Sequence, residues 1–118
     1  MNFTHTNYDF EKEYPKLVRD NIPKLIENKI GKPADIGFAG GDEEFLNFLL
    51  KKLVEEAREA ALSPAHNNLK EELADVLEVV IAIAKLRGWG EEEISQVQKE
   101  KRLKNGGFDK RTILKSME

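Results

Sequence analysis

The hydrophobic positions of this chain recur at helical spacing over most of its length. Apolar residues at intervals of three and four predict a long amphipathic helix over residues 42–62. The same spacing predicts a second long helix over residues 69–86 and a shorter one over residues 91–104. Because Ser63-Pro64 interrupts the first long helix, we expect the two long helices to form an antiparallel hairpin in an all-α protein.

The middle of the second long helix is apolar almost all round, over residues 79–83. A helix of this kind must be buried against more than one neighbour, and a chain of this size has few helices to cover it. We therefore expect the hairpin to be completed into a four-helix-type bundle, across a subunit interface in a homodimer or homotetramer.

Shorter signals mark the ends of the elements. Asp20 or Asn21 can cap a short helix whose Leu25 and Ile26 would face inward. Residues 32–41 are rich in glycine and proline and predict a loop with a short extended piece.

The start of the second long helix carries a capping signal of its own. Asn68 followed by Glu71 is a variant of the capping box, in which the two side chains would satisfy backbone N–H groups of the first turn.

Composition narrows the class of protein. The chain has 118 residues, of which 40% are hydrophobic and 35% charged, so we expect one domain over residues 15–118 after an irregular arm over residues 1–14. Its net charge of −3 argues against binding a nucleic-acid polymer. It has no cysteine, no signal-peptide core and no apolar run of membrane-spanning length. We therefore expect a cytoplasmic protein that does not bind a membrane.

Four acids occupy unusual positions on the two long helices. At about 100° per residue, Glu56 falls inside the apolar face of its helix and Glu59 lies about 60° to one side. Glu72 and Asp75 repeat this arrangement on the next helix. An antiparallel hairpin would bring the two pairs together across the interface. The remaining glutamates nearby are assigned to a solvated face: Glu55, Glu71 and Glu78.

Buried carboxylates require a compensating cation. Removing an ionised carboxylate from water costs several kcal/mol, and four acids facing one another would also repel. Oxygen ligands without histidine or cysteine favour Mg²⁺, with Mn²⁺ or Ca²⁺ as alternatives. A ferritin-like di-iron site would need Glu-x-x-His, which neither His5 nor His66 provides. Since Mg²⁺ usually completes its shell with phosphates, the cluster predicts a phosphorylated ligand.

Two strings of residues carry a family resemblance. Glu55-Glu56-Ala57-Arg58-Glu59 and Glu72-Leu73-Ala74-Asp75 resemble the Glu-Glu-x-x-Glu…Glu-x-x-Asp signature of the all-α nucleoside triphosphate pyrophosphohydrolases, the MazG-like superfamily. Lys16-Leu17-Val18-Arg19-Asp20-Asn21-Ile22-Pro23, and Lys101 with Gly106-Gly107-Phe108, are similar to its small phosphoribosyl-ATP pyrophosphohydrolase-like members.

The resemblance implies a reaction and a set of roles. The reaction is Mg²⁺-dependent hydrolysis between the α and β phosphates of a nucleoside triphosphate, which can serve the removal of non-canonical nucleotides. Glu56, Glu59, Glu72 and Asp75 become metal ligands, and Glu55, Glu56 and Glu59 become catalytic residues. Basic residues in the similar segments become phosphate ligands: Lys16, Arg19, Lys101, Arg102 and Lys104. Gly106 and Gly107 can offer backbone N–H groups to phosphate or simply cap a helix.

Two alternatives stay open at this point. The first is phosphoribosyl-ATP hydrolysis in histidine biosynthesis. The second, from another class, is a nucleotide-binding or metal-binding helical module without turnover. The sequence does not indicate which base the substrate carries.

Overall fold

Four α-helices form most of the computed structural model, which describes residues 14–63 and 67–118. They are α1 (Ile22–Ile30), α2 (Asp42–Leu62), α3 (Leu69–Leu86) and α4 (Glu91–Asn105). Neither of the two described stretches contains a strand, so the predicted all-α fold is confirmed. Residues 1–13 of the predicted arm and Pro64 of the predicted turn lie outside the described residues. In the described part of the chain, no helix has both the length and the apolar character needed to cross a membrane.

The two long helices form the predicted antiparallel hairpin. An Arg87 guanidinium nitrogen lies 3.8 Å from Glu43 Oε1, which joins the end of α3 to the start of α2. Towards the other end of the hairpin, Glu56 of α2 lies beside Glu72 of α3. The chain therefore reverses direction between the two helices, and each inward face is covered by the other helix.

The hydrophobic core of a single chain is small. Among the described residues, the buried apolar side chains are Leu49, Ala60, Val79 and Ala84. Other large apolar side chains of α2 and α3 are exposed instead: Leu50, Val54, Leu73 and Leu77. One hairpin therefore leaves part of its apolar surface uncovered.

The start of α1 differs from its prediction. Asn21 stands at the N-cap position with helical backbone angles, φ −90° and ψ −4°, and makes no side-chain capping bond. A capping side chain normally needs an extended backbone to reach the N–H groups of the first turn. Leu25 and Ile26 are exposed rather than inward, because α1 does not pack on the hairpin as the apolar pattern suggested. Gly31 ends the helix at φ 76°, as a left-handed C-cap does.

The capping prediction at the start of α3 is wrong, whereas the loop prediction before α2 is confirmed. Asn68 occupies the N-cap position of α3 but makes no side-chain cap, because its backbone, at φ −104° and ψ 14°, does not place the amide over the first turn; the capping box with Glu71 is not formed. Residues 32–41 form the predicted loop, in which no residue pairs as a strand and Gly41 has extended backbone angles, φ −174° and ψ −180°.

Candidate metal centre

Three acids from the two helices of the hairpin meet at one point. Glu56 comes from the fourth turn of α2, and Glu72 and Asp75 come from the first two turns of α3. Each offers one carboxylate oxygen, and the three oxygens lie within 4.8 Å of one another. The expected approach of the two acidic pairs across the hairpin is therefore observed for these three residues.

Two oxygens in this cluster are buried without a hydrogen-bond partner. They are Oε2 of Glu56 and Oε2 of Glu72, one from each helix. Leaving a buried charged acceptor unpaired costs several kcal/mol, so such atoms are normally satisfied by a donor or a cation. Hard oxygen donors from carboxylates are the ligands that Mg²⁺, Mn²⁺ and Ca²⁺ prefer. The donor set therefore fits a hard divalent cation.

Glu59 lies on the α2 side of the cluster. It groups with Glu55 and Glu56, whose oxygens also lie within 4.8 Å of one another, and not with Glu72 and Asp75. Glu56 is thus the one acid that belongs to both groups. The expectation that all four predicted ligands face one another holds for three of them, while Glu59 borders the cluster through Glu56.

Glu55 is buried, which contradicts its assignment to a solvated face. Only 5% of the residue is exposed, whereas Glu71 and Glu78 are exposed as expected. Its Oε2 accepts a hydrogen bond of 3.3 Å from Lys52 Nζ, and its Oε1 lies 3.9 Å from Lys16 Nζ. A helical wheel of α2 alone could not reveal the burial of Glu55, because the segment that precedes α1 contributes to it.

That preceding segment also brings Arg19 to the acids. One Arg19 guanidinium nitrogen donates a hydrogen bond of 2.7 Å to Asp75 Oδ1, across 56 residues of sequence. Lys16 lies nearby and helps to line a shallow pocket beside Glu55, together with Leu17, Phe48 and Lys52. The structure therefore places two of the five predicted phosphate ligands, Lys16 and Arg19, next to the acidic cluster.

The other three predicted phosphate ligands lie elsewhere. Lys101, Arg102 and Lys104 are exposed in the last turns of α4, a helix that packs only sparsely on the hairpin. None of them forms an ion pair with an acid in residues 14–63 or 67–118. The Gly106 N–H bonds to the Arg102 carbonyl and caps α4, so it is not free to bind phosphate.

Lys52 is a functional candidate that sequence reasoning missed. Its Nζ lies 3.3 Å from Glu55 Oε2 and 3.5 Å from Glu56 Oε1. The available signal was spacing, since Lys52 precedes these glutamates by three and four residues on one helix, where side chains meet. A lysine on a charged helix surface is common, however, and only the burial of both glutamates distinguishes this one.

The surroundings of Glu56 disfavour its charged form. Burial is the largest cause that raises its pKa above the ordinary 4.5, and the nearby charges of Asp75 and Glu55 add to it. Lys52 and a hydrogen bond with Glu59 act in the opposite direction without cancelling the rise. In the absence of a cation, the folded protein therefore binds a proton at Glu56 more tightly than the unfolded chain does.

This raised pKa predicts a pH-dependent stability. The contribution of Glu56 is fully present below pH 4.5 and is lost as pH rises through its higher folded pKa. We expect the free energy of unfolding in EDTA, measured with urea between about pH 4 and 8, to fall more steeply with pH in the wild type than in Glu56→Gln. Glu78→Gln, at an exposed site, should follow the wild type. Parallel curves for wild type and Glu56→Gln would contradict the prediction.

Comparison with known proteins gives one match. The family model of the MazG nucleotide pyrophosphohydrolase domain matches residues 46–106, a little over half of the chain. No curated protein and no solved structure gave a significant match.

The matched range begins in α2 and ends after α4, and it contains Glu55, Glu56, Glu59, Glu72 and Asp75. It excludes the segment that carries Lys16 and Arg19. The helical hairpin and its acids are thus the part of the chain that the family model describes. The chain belongs to the MazG nucleotide pyrophosphohydrolase family, whose members are hydrolases acting on acid anhydrides.

Proposed function

We propose that this protein is a Mg²⁺-dependent nucleoside triphosphate pyrophosphohydrolase, which cleaves between the α and β phosphates and releases a nucleoside monophosphate and pyrophosphate. The observation that carries the proposal is the pair of buried, unpartnered oxygens, Glu56 Oε2 and Glu72 Oε2, on two residues whose carboxylates meet from two helices. Family membership supports the reaction class, and the donor set supports the cation.

Most of the acids at this site serve as ligands of the cation. Glu56, Glu72 and Asp75 hold the cation. Glu59, whose carboxylate lies beside that of Glu56, is the fourth ligand. Mn²⁺ can replace Mg²⁺ at such an oxygen site. When bound, a divalent cation supplies charge neutralisation at phosphate oxygens and a more acidic water. Because Mg²⁺ keeps part of its shell for water and substrate, three or four carboxylates leave room for a triphosphate.

Residues beside the ligands would handle the water and the phosphates. Glu55 and Glu59 flank Glu56 on α2, and we assign to them the orientation and deprotonation of the attacking water. Lys16 and Arg19 lie at the acids and are the phosphate ligands that this arrangement favours. Phosphate binding by Lys101, Arg102 and Lys104 stays a prediction.

The experiment that tests this function follows the oxygen of water. Purified protein is incubated with Mg²⁺ and a panel of canonical and modified nucleoside triphosphates in ¹⁸O-labelled water. We expect pyrophosphate release, with the label in the monophosphate, because attack at the α phosphorus leaves the bridging oxygen on pyrophosphate. Label in the pyrophosphate would indicate attack at the β phosphorus, with the same products. Release of inorganic phosphate alone would contradict the proposed cleavage.

The same panel separates the alternatives. Phosphoribosyl-ATP as one substrate tests the biosynthetic reaction, and preference for modified bases would support the removal of non-canonical nucleotides. Nucleotide binding without any product would indicate a module that has lost turnover.

We also propose that two or more copies of the chain assemble through the exposed faces of the hairpin. Leu73 and Leu77 of α3 are 54% and 57% exposed and lie four residues apart on one face. Leu50 and Val54 repeat this spacing on α2. Hairpin packed on hairpin would complete a four-helix bundle.

A further inference from the structure

Lys52 is one of the few lysines of the described chain that are largely buried. Its side chain is 17% exposed, and its Nζ lies between the two adjacent acids Glu55 and Glu56, at 3.3 Å and 3.5 Å. Burying a lysine costs free energy unless the charge is paired. Lys52 pairs with both acids, but of the two carboxylate oxygens of Glu56 it contacts Oε1.

Lys52 contacts one oxygen of Glu56 and leaves the other alone. The contacted atom is Oε1, while Oε2 is buried without a hydrogen-bond partner. Glu56 offers one oxygen to the group that it forms with Glu72 and Asp75, and Oε2 is the oxygen that Lys52 leaves available for it. When a cationic side chain holds one oxygen of a carboxylate, the other oxygen is the better metal ligand, because the first already shares its negative charge with that side chain. Asp75 shows the same division, because Arg19 holds its Oδ1 at 2.7 Å.

We propose that Lys52 is a positioning residue that makes Glu56 a one-oxygen metal ligand, by holding Oε1 and directing Oε2 into the acidic cluster. Arg19 acts in the same way on Asp75 through Oδ1. This inference rests on the proposed metal centre. Outer partners that hold the non-ligating atom of a ligand fix its orientation and typically contribute 10- to 100-fold in metal affinity.

The direction in which cation affinity changes when Lys52 is removed separates positioning from simple electrostatics. At a pH where Glu56 is ionised in every variant, a Lys52 that only added positive charge near the centre would oppose the cation, so removing it would strengthen cation binding. If it only contributed to packing, removing it would lower stability and leave the affinity of the folded protein unchanged. If Lys52 positions Glu56, its removal weakens cation binding, even though a nearby positive charge has been removed.

The test is calorimetric titration of the full chain with Mn²⁺ alone, at a temperature where all variants are folded. We expect Lys52→Met to bind Mn²⁺ about tenfold or more weakly than the wild type. Lys52→Arg keeps the charge and should recover part of the affinity. Lys85→Met is the matched control, because Lys85 lies ten residues, or about 15 Å of helix, beyond Asp75 on α3. It should bind as the wild type does. Affinity of Lys52→Met equal to or higher than that of the wild type would overturn the proposal.

A crystal structure of the wild type grown with Mn²⁺ gives a second measurement, which does not depend on a variant folding. We expect Glu56 to bind the ion through Oε2 alone, with Oε1 still on Lys52. Ligation through Oε1 or through both oxygens would overturn the inference. Failure of the wild type to bind Mn²⁺ would instead defeat the metal centre itself, so the two failures are distinguishable.

Discussion

Glu56→Gln should abolish pyrophosphate release, with a loss of about 100-fold or more, because a ligand of the cation contributes several kcal/mol to catalysis. Glu56 is the acid whose substitution we expect to have the largest effect on activity. It is the one residue shared by both acidic groups, it is 8% exposed, and its Oε2 is buried without a partner. Glutamine keeps the size of the side chain and removes its charge. The measurement is steady-state release of pyrophosphate with Mg²⁺ and the best triphosphate of the panel.

The same substitution should separate metal binding from folding. In the wild type, a cation at 100 times its dissociation constant stabilises the folded state by about 2.7 kcal/mol. Glu56→Gln should lose this stabilisation in thermal unfolding, while its stability in EDTA at pH 7 stays the same or rises, because a buried charge has been removed. Glu78→Gln is the matched control on α3 and should keep both activity and stabilisation. If Glu56→Gln retained metal stabilisation, the centre would have to lie elsewhere.

Leu77→Glu should convert the protein from an oligomer into a monomer. In an isolated hairpin, Leu77 is 57% exposed and glutamate favours a helix, so the substitution would change stability by about 0.5 kcal/mol or less. In an interface between copies, it would bury a carboxylate without a partner, at a cost of several kcal/mol. The measurement is multi-angle light scattering at micromolar concentration, where we expect the wild type to be a dimer or tetramer.

A matched control locates the interface. Leu103→Glu makes the same change on α4, outside the exposed stripe of the hairpin, and should leave the oligomer intact. A wild-type monomer would contradict the proposal directly. An oligomer that survives Leu77→Glu would place the contact on another surface.

The long helices were predictable because their signals are local. The hydrophobic spacing of residues 42–62 alone indicated the helix that became α2, with the same bounds, and Ser63-Pro64 indicated the hairpin. The wheel of α2 placed Glu56 inward, and that of α3 placed Glu72 opposite it. These inferences need only the 3.6-residue period and the rule that a hairpin buries its apolar faces.

The residues around the metal ligands were not predictable from helical periodicity. Helical periodicity within α2 assigns Glu55 to a solvated face, and the segment with Lys16 and Arg19 is too distant in sequence for periodicity to place it beside Glu55. Capping at Asn21 and Asn68 failed because a cap depends on backbone angles, which residue type only biases.

The sequence by itself therefore determined the helices, the hairpin and the inward position of Glu56, Glu72 and Asp75, since each follows from periodicity within one helix. Only the tertiary structure decided that Lys52 holds one oxygen of Glu56 and that Arg19 holds one oxygen of Asp75. It also left two carboxylate oxygens buried and unpaired. The physical reason is that these contacts depend on the packing of a distant segment and on individual side-chain geometry, neither of which leaves a period in the sequence.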